Sequence, residues 1–298
     1  MRMLIAVNPG ASRAEIGLPE LAAWFGQNCE ASFVIARSKG ELKQTLLSQG
    51  PSADRIVIGG GDGTISNALP ELLQLNKPLA VLPLGTANDF ARSLGLPQDS
   101  IAAARVALQG RLHKVDVGLV NGKPFLNVAS VGLAAKVAQA QSQELKRTWG
   151  IFSYVVGFLR VARKTRPFFV EITTDGASPW SGAIYQVSIG NGRYHGGGLT
   201  VAEDAAIDDG KLHLYTIFPG SFWQLLVCLT HLKFRLAEPE VLLRQSAKHV
   251  TLRTWRPRPI NADGEISTST PAEFTLITGG LTVMVPQQLP AECGLRCI

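Results

Sequence analysis

Residues 59–64, Gly-Gly-Gly-Asp-Gly-Thr, put four glycines, a carboxylate and a hydroxyl into six consecutive positions. A glycine inside a regular element costs about 0.5–1 kcal/mol relative to alanine. Such a cluster therefore belongs where the backbone bends sharply or must come close to something. An apolar run, 55–59, precedes it and a helical pattern, 66–75, follows, so Thr64 is expected to open a helix. A helix N-terminus presents unpaired N–H groups and a partial positive charge, and glycines remove the side chains that would hold a phosphate away. A second loop, Gly85-Thr86-Ala87-Asn88-Asp89, leaves the next apolar run in the same manner. There Asp89 fits a ligand role and equally a first-turn carboxylate favoured by the helix dipole. A third polar loop, 8–13, follows the first apolar run. Two known phosphate fingerprints are excluded: Thr64 and Ser66 stand where the dinucleotide motif needs glycine, and no Gly-Lys-Ser/Thr occurs.

These loops need a scaffold, and the first 110 residues supply an alternating one. Buried-strand patterns at 3–7, 31–36, 55–59 and 79–84 are separated by helical patterns at 18–28, 41–49, 66–75 and 88–94. That alternation predicts a parallel sheet covered by helices, with ligands at the carboxyl ends of its strands. From about residue 111 the rhythm changes to short strands and turns: 168–175, 182–192, 211–218, 249–254, 258–265 and 272–285. Helical stretches at 133–149, 151–164 and 221–235 interrupt them. The second half is thus expected to be an antiparallel β-sandwich, and the fold class is α/β followed by β. No repeat of 20–50 residues and no low-complexity tract is present.

The chain has 298 residues, 46% hydrophobic and 17% charged, with a net charge of +6. That composition supports two well-filled cores and excludes a disordered chain. The basic excess suits phosphate ligands or an anionic membrane surface. No compact basic helix with interleaved aromatics is present, so nucleic acid is not an expected partner. The four cysteines, Cys29, Cys228, Cys293 and Cys297, form no CxxC pair and no zinc spacing, which predicts free thiols in a reducing cytoplasm. The longest stretch free of Asp, Glu, Lys and Arg, 212–232, carries Pro219-Gly220 and two histidines. It reads as a strand and an amphipathic helix, not a membrane span. Neither does the N-terminus read as a signal peptide. The protein is expected in the cytoplasm or peripherally at the inner membrane face.

Taken together, GGGDGT (59–64) and PLGTANDFAR (83–92) resemble the diacylglycerol kinase-like lipid kinases, which include bacterial lipid kinases and sphingosine kinases. The segment 191–217, with NGRYHGGG and AIDDGKL, and INADGE (260–265) are similar to that family's later motifs, in the same order. Two departures stand out: Ser66-Asn67 replaces the usual Asn/His-Glu, and the proline usual near Ala202-Glu203 is absent. The resemblance implies a Rossmann-like kinase domain, 1–118, joined by a returning segment 284–298, and a β-sandwich domain, 119–283. It implies ATP held by Gly60, Gly61, Asp62, Gly63, Thr64, Ile65, Ser66, Asn67, Thr86 and Asp89. It further implies Mg2+ at Asp209, with backbone oxygens of Ala206 and Lys211, and a general base at Glu265. Without it, Asp208-Asp209-Gly210 and Ala262–Glu265 read as plain turns. Asp116, acidic within an apolar strand, reads as a buried member of a charge network near the interdomain cleft or as an exposed strand residue. The implied activity is ATP-dependent phosphorylation of a diacylglycerol-like or related hydroxyl lipid; the alternatives are an NAD kinase-like enzyme and a non-catalytic nucleotide- or lipid-binding protein. The implied partners are the lipid and, through the apolar-then-basic stretch 149–166, transient contact with the membrane surface. That stretch reads equally as a core helix with a solvated basic end. A homodimer is left open.

Overall fold

The computed structural model describes residues 1–11, 17–133, 166–194, 205–219, 242–290 and 293–295. Strands β1 (Arg2–Val7), β2 (Glu30–Ile35), β3 (Arg55–Gly60) and β4 (Leu79–Pro83) alternate with helices α1 (Leu18–Asn28), α2 (Lys39–Gln49), α3 (Asp62–Leu75), α4 (Asp89–Ser93) and α5 (Ser100–Gln109). The strands are parallel in the order β2-β1-β3-β4. Their continuous apolar runs follow from burial on both faces: β1, β3 and β4 are buried along almost their whole length. Met3, Ile5 and Val7 pack with Val57, Ala80 and Leu82 and with Leu21, Phe25, Ala103, Ala104 and Ala107 from the helices.

The remaining strands are β5 (Arg111–Val120), β6 (Lys123–Phe125), β7 (Val128–Gly132), β8 (Phe168–Thr174), β9 (Trp180–Ile184), β10 (Gln186–Gly190), β11 (Leu212–Ile217), β12 (Leu242–Ala247), β13 (Val250–Thr254), β14 (Pro259–Ala262), β15 (Glu265–Ser269) and β16 (Ala272–Val285). One antiparallel sheet runs β12-β11-β10-β7-β14-β15, and a second contains β16-β13-β8-β9. Val131, Val187, Ile189, Leu214 and Ile260 from the first sheet share a core with Val170, Ile172, Leu252 and Phe274 from the second. That shared core makes the expected sandwich.

The chain divides into two units. The first comprises Met1–Val117, Ala206–Gly210 and Ile277–Ile298; the second comprises Gly118–Ala205 and Lys211–Leu276. The return to the first unit thus begins at Ile277 rather than 284, because β16 is one unbroken strand that gives residues to both. Its Phe274 pairs with Val250 of β13, while Val283 pairs in parallel with Leu79 of β4. The short segment Ala206–Gly210 also belongs to the first unit, an insertion that the sequence pattern does not announce. The helical stretches expected at 133–149 (beyond Leu133), 151–164 and 221–235 lie outside the described residues, as does 149–166 apart from Arg166.

Candidate active site

Four consecutive strands of the first unit end at one edge, and their loops line a cavity of about 530 Å³, a size suited to a nucleotide-sized ligand. Asn8, Gly10 and Ala11 come from the β1 end, and Ala36, Arg37, Ser38 and Lys39 from the β2 end. Gly61, Gly63, Thr64 and Asn67 follow β3, and Gly85 and Thr86 follow β4.

Helix α3 starts at Asp62, two residues before Thr64. Gly61 is the extended N-cap, and its carbonyl accepts the N–H groups of Thr64 and Ile65. Having no side chain, Gly61 leaves the N–H groups of Asp62 and Gly63 without a side-chain cap, and donors at a helix N-terminus are what a phosphate oxygen requires. The glycines have distinct reasons. A Cβ on Gly85 would sit 2.4 Å from the Gly61 Cα, and a Cβ on Gly60 would strike the Thr64 side chain at 2.6 Å. Those positions are fixed by the protein's own packing: the two loops touch backbone to backbone. A Cβ on Gly63 would meet nothing within 4 Å. Its missing side chain serves no internal contact.

The two loops are also clamped by hydrogen bonds. The Asp62 carboxylate accepts the backbone N–H groups of Asp89 at 3.0 Å and Phe90 at 2.8 Å, and so caps α4 from across the site. Asn88, in the left-handed region at φ 53°, ties its own loop through Gly85 N–H and the carbonyls of Pro83 and Gly85. Asn8 donates to the Thr64 hydroxyl at 3.1 Å, joining the β1 and β3 loops. Of the residues expected at the nucleotide, Gly61, Gly63, Thr64, Asn67 and Thr86 line the cavity. Gly60, Asp62, Ser66 and Asp89 are not part of the lining, and Ile65 is a core side chain, 2% exposed.

Sequence reasoning missed Arg37, Ser38 and Lys39. The Ser38 hydroxyl caps α2 by accepting Glu41 N–H, and Glu41 in turn accepts Arg37 N–H at 2.6 Å. This Ser-x-x-Glu capping pattern is the signal that would have marked a fourth loop. A second helix N-terminus and two cationic side chains therefore join α3 in lining the cavity, with the Glu41 carboxylate on the same turn.

Elsewhere in the first unit, Asp116 is buried. It accepts Gly210 N–H and Gly279 N–H, each at 2.7 Å, so its described partners are backbone amides of the same unit. It holds the 206–210 turn against β5, as does Asp208, 2.8 Å from His113 Nε2. Asp209 folds its carboxylate back onto Ala206 N–H at 3.2 Å, and Gly210 turns the chain at φ 72°. Among the described residues no three His, Cys, Asp or Glu side chains cluster as a metal site. Oxygen donors from one carboxylate and main-chain carbonyls are what the turn offers, and these are hard ligands of the kind Mg2+ accepts.

In the second unit, Asp263 and Gly264 form a two-residue hairpin turn, both at positive φ, with Ala262 paired to Glu265. Glu265 is exposed at the start of β15. The residue not foreseen is Asp263. Its carboxylate accepts three backbone N–H groups, from Leu126 at 2.7 Å, Asn127 at 2.9 Å and Val128 at 3.1 Å, and so fixes the hairpin that presents Glu265.

The halves of the chain that carry the parallel sheet and the sandwich match known families. Residues 2–120 match the diacylglycerol kinase catalytic domain, and residues 127–285 match the YegS C-terminal NAD kinase beta sandwich-like domain. The chain belongs to the diacylglycerol kinase-like lipid kinase family. It is similar to a Pseudomonas fluorescens protein named "Probable lipid kinase YegS-like", 33% identical over 86% of this chain and 84% of that one. A Staphylococcus carnosus diacylglycerol kinase is 28% identical over 79% of this chain and 78% of its own. The crystal structure of a diacylglycerol kinase from Bacillus anthracis superposes with a TM-score of 0.78 at 28% identity, covering 95% of this chain and 96% of that one. An Archaeoglobus fulgidus NAD kinase, at 15% identity and a TM-score of 0.50, shares the fold alone. This lipid kinase family member has no helix, among the described residues, long and apolar enough to cross a membrane.

Proposed function

We propose that this lipid kinase transfers the γ-phosphate of ATP to the hydroxyl of a diacylglycerol-like lipid. The observation that carries the reading is the strand-end cavity with its uncapped α3 N-terminus and the vacant space at Gly63. The phosphates lie against the N–H groups of 61–63, and Thr64, Asn67 and Thr86 supply polar side-chain contacts. The ribose and base extend toward Arg37–Lys39. Catalysis of this kind rests on positioning and charge neutralisation. The lipid oxygen bonds to the γ-phosphorus as the bond to the β–γ bridging oxygen breaks. ADP departs, and the hydroxyl proton passes to Glu265.

The 206–211 turn would hold Mg2+ through Asp209 and the carbonyls of Ala206 and Lys211 (on the chain leading into β11), and the bound ion would supply positive charge. Asp116 and Asp208 anchor that turn. The test is phosphorylation of diacylglycerol in mixed micelles with labelled ATP and Mg2+, run beside ATP binding on the same preparation. Wild type forms labelled phosphatidic acid. Glu265→Gln keeps ATP binding and loses about 100- to 10,000-fold in rate. Glu265→Gln turning over like wild type removes the base assignment. ATP binding by wild type with no lipid phosphorylated supports the non-catalytic reading instead.

A further inference from the structure

Trp255 is 94% exposed, more than any other large hydrophobic side chain among the described residues. A scattered surface hydrophobic needs no explanation, but this one has company and a rigid mount. Its neighbours Thr254 and Arg256 are joined by a hydrogen bond from the Thr254 hydroxyl to the Arg256 carbonyl at 2.8 Å. Arg258 N–H donates to the Thr270 hydroxyl at 2.9 Å, and Thr270 N–H returns to the Arg258 carbonyl. Prolines 257 and 259 stiffen the rest of the turn. The indole is held out into solvent on a pinned loop.

The strand register supplies the company. Thr254, the last residue of β13, pairs with Val170 of β8, so carrying that register one residue past the end of β13 brings Trp255 toward Phe169. Phe169 is 61% exposed, on the side of β8 opposite the buried Phe168 and Val170. Arg253 shares that outer side, 4.0 Å from Glu171. Arg166 and Arg256 are exposed at the same strand ends, and Arg258 lies over the Phe168 ring at 4.1 Å. Arg258 thus sits on the buried side, while three exposed arginines, Arg166, Arg253 and Arg256, and one carboxylate, Glu171, lie near the same strand ends as the two exposed aromatics.

We propose that this end of the β8–β13 pair is the surface by which the protein seats on an anionic phospholipid bilayer. The choice of occupant rests on the lipid kinase reading, and charge complementarity supports it. Tryptophan favours the headgroup level, where its ring is half in hydrocarbon, and arginines beside it meet lipid phosphates. A protein whose substrate is a lipid hydroxyl needs such a footing.

The test is vesicle sedimentation of the full chain, without ATP, on phosphatidylcholine vesicles with and without phosphatidylglycerol. Wild type binds the anionic vesicles, and binding weakens as salt is raised. Trp255→Ser weakens binding roughly tenfold. Arg256→Glu removes one favourable charge and adds an unfavourable one, at about fivefold each, so about 25-fold in all. Both side chains are exposed, so thermal midpoints stay at the wild-type value. Two results would each overturn the proposal: wild type ignoring anionic vesicles, or both variants binding as wild type does. Loss of a wild-type dimer in either variant, with vesicle binding unchanged, would assign the face to a second copy and also overturn it. Phosphorylation of a water-dispersed short-chain diacylglycerol separates the two readings. Turnover without vesicle binding sinks the membrane surface alone; vesicle binding without turnover sinks the kinase reading alone.

Discussion

Gly63→Ala should move stability and nucleotide binding in opposite directions. Gly63 is the second residue of α3, and beyond the neighbouring backbone of its own helix an added Cβ meets nothing within 4 Å. It has no positive φ to forbid a side chain. Alanine there lowers the entropy of the unfolded chain and suits a helix, which stabilises by about 0.4–1 kcal/mol. For a domain of this size that raises the thermal midpoint by roughly 1–4 °C. The Cα–Cβ bond of a helical residue tilts toward the helix N-terminus, so the methyl leans over the open N–H groups where a phosphate would dock. Displacing one charge-assisted hydrogen bond costs about 1.5–3 kcal/mol, or roughly 10- to 150-fold in ATP affinity. Differential scanning fluorimetry without nucleotide reads the first quantity and isothermal titration with ATP the second. ATP affinity equal to wild type would refute the phosphate cradle. A midpoint lowered by several degrees would show that the glycine is there for the fold.

Asp62→Ala removes the cap on Asp89 and Phe90, costing about 1–2 kcal/mol; turnover is lost while the far-UV circular dichroism spectrum stays near wild type. Asp263→Ala leaves three N–H groups of 126–128 without their acceptor and destabilises by about 2–4 kcal/mol, whereas Glu265→Gln on the same hairpin leaves the urea midpoint in place. Asp209→Asn weakens the Mg2+ dependence of turnover or the Mg2+-induced rise in thermal midpoint, and a variant equal to wild type in both would reduce 206–211 to a plain turn.

The parallel sheet was legible because doubly buried strands give uninterrupted apolar runs, and β1, β3 and β4 are such strands. Helix α5 was not foreseen because its inward face is Ala103, Ala104 and Ala107, which contrast weakly with polar neighbours. The glycine loop announced a ligand but not which residues would touch it. Ile65 lies one position beyond Thr64, and one helical step of about 100° turns it into the core. Arg37 and Lys39 reach the cavity because β2 lies beside β1 in the sheet, a neighbour relation that sequence order leaves open. Asp263 looked like an ordinary turn residue, since its three partners lie about 136 positions away.

The stitching of the first unit from distant pieces bears on how the chain matures during synthesis. Its sheet edge at β4 is closed by Val283, Ile207 N–H bonds the Gly294 carbonyl, and Asp116 waits for the amides of Gly210 and Gly279. The nucleotide loops leave the ribosome first, yet the strand and turn that complete their scaffold arrive after the whole sandwich has been made. Until then β4 is an exposed edge and Asp116 a buried acid without those two amides. A nascent chain released at residue 117 is therefore expected to aggregate or be degraded, and the sandwich, whose segments lie closer together, to fold first.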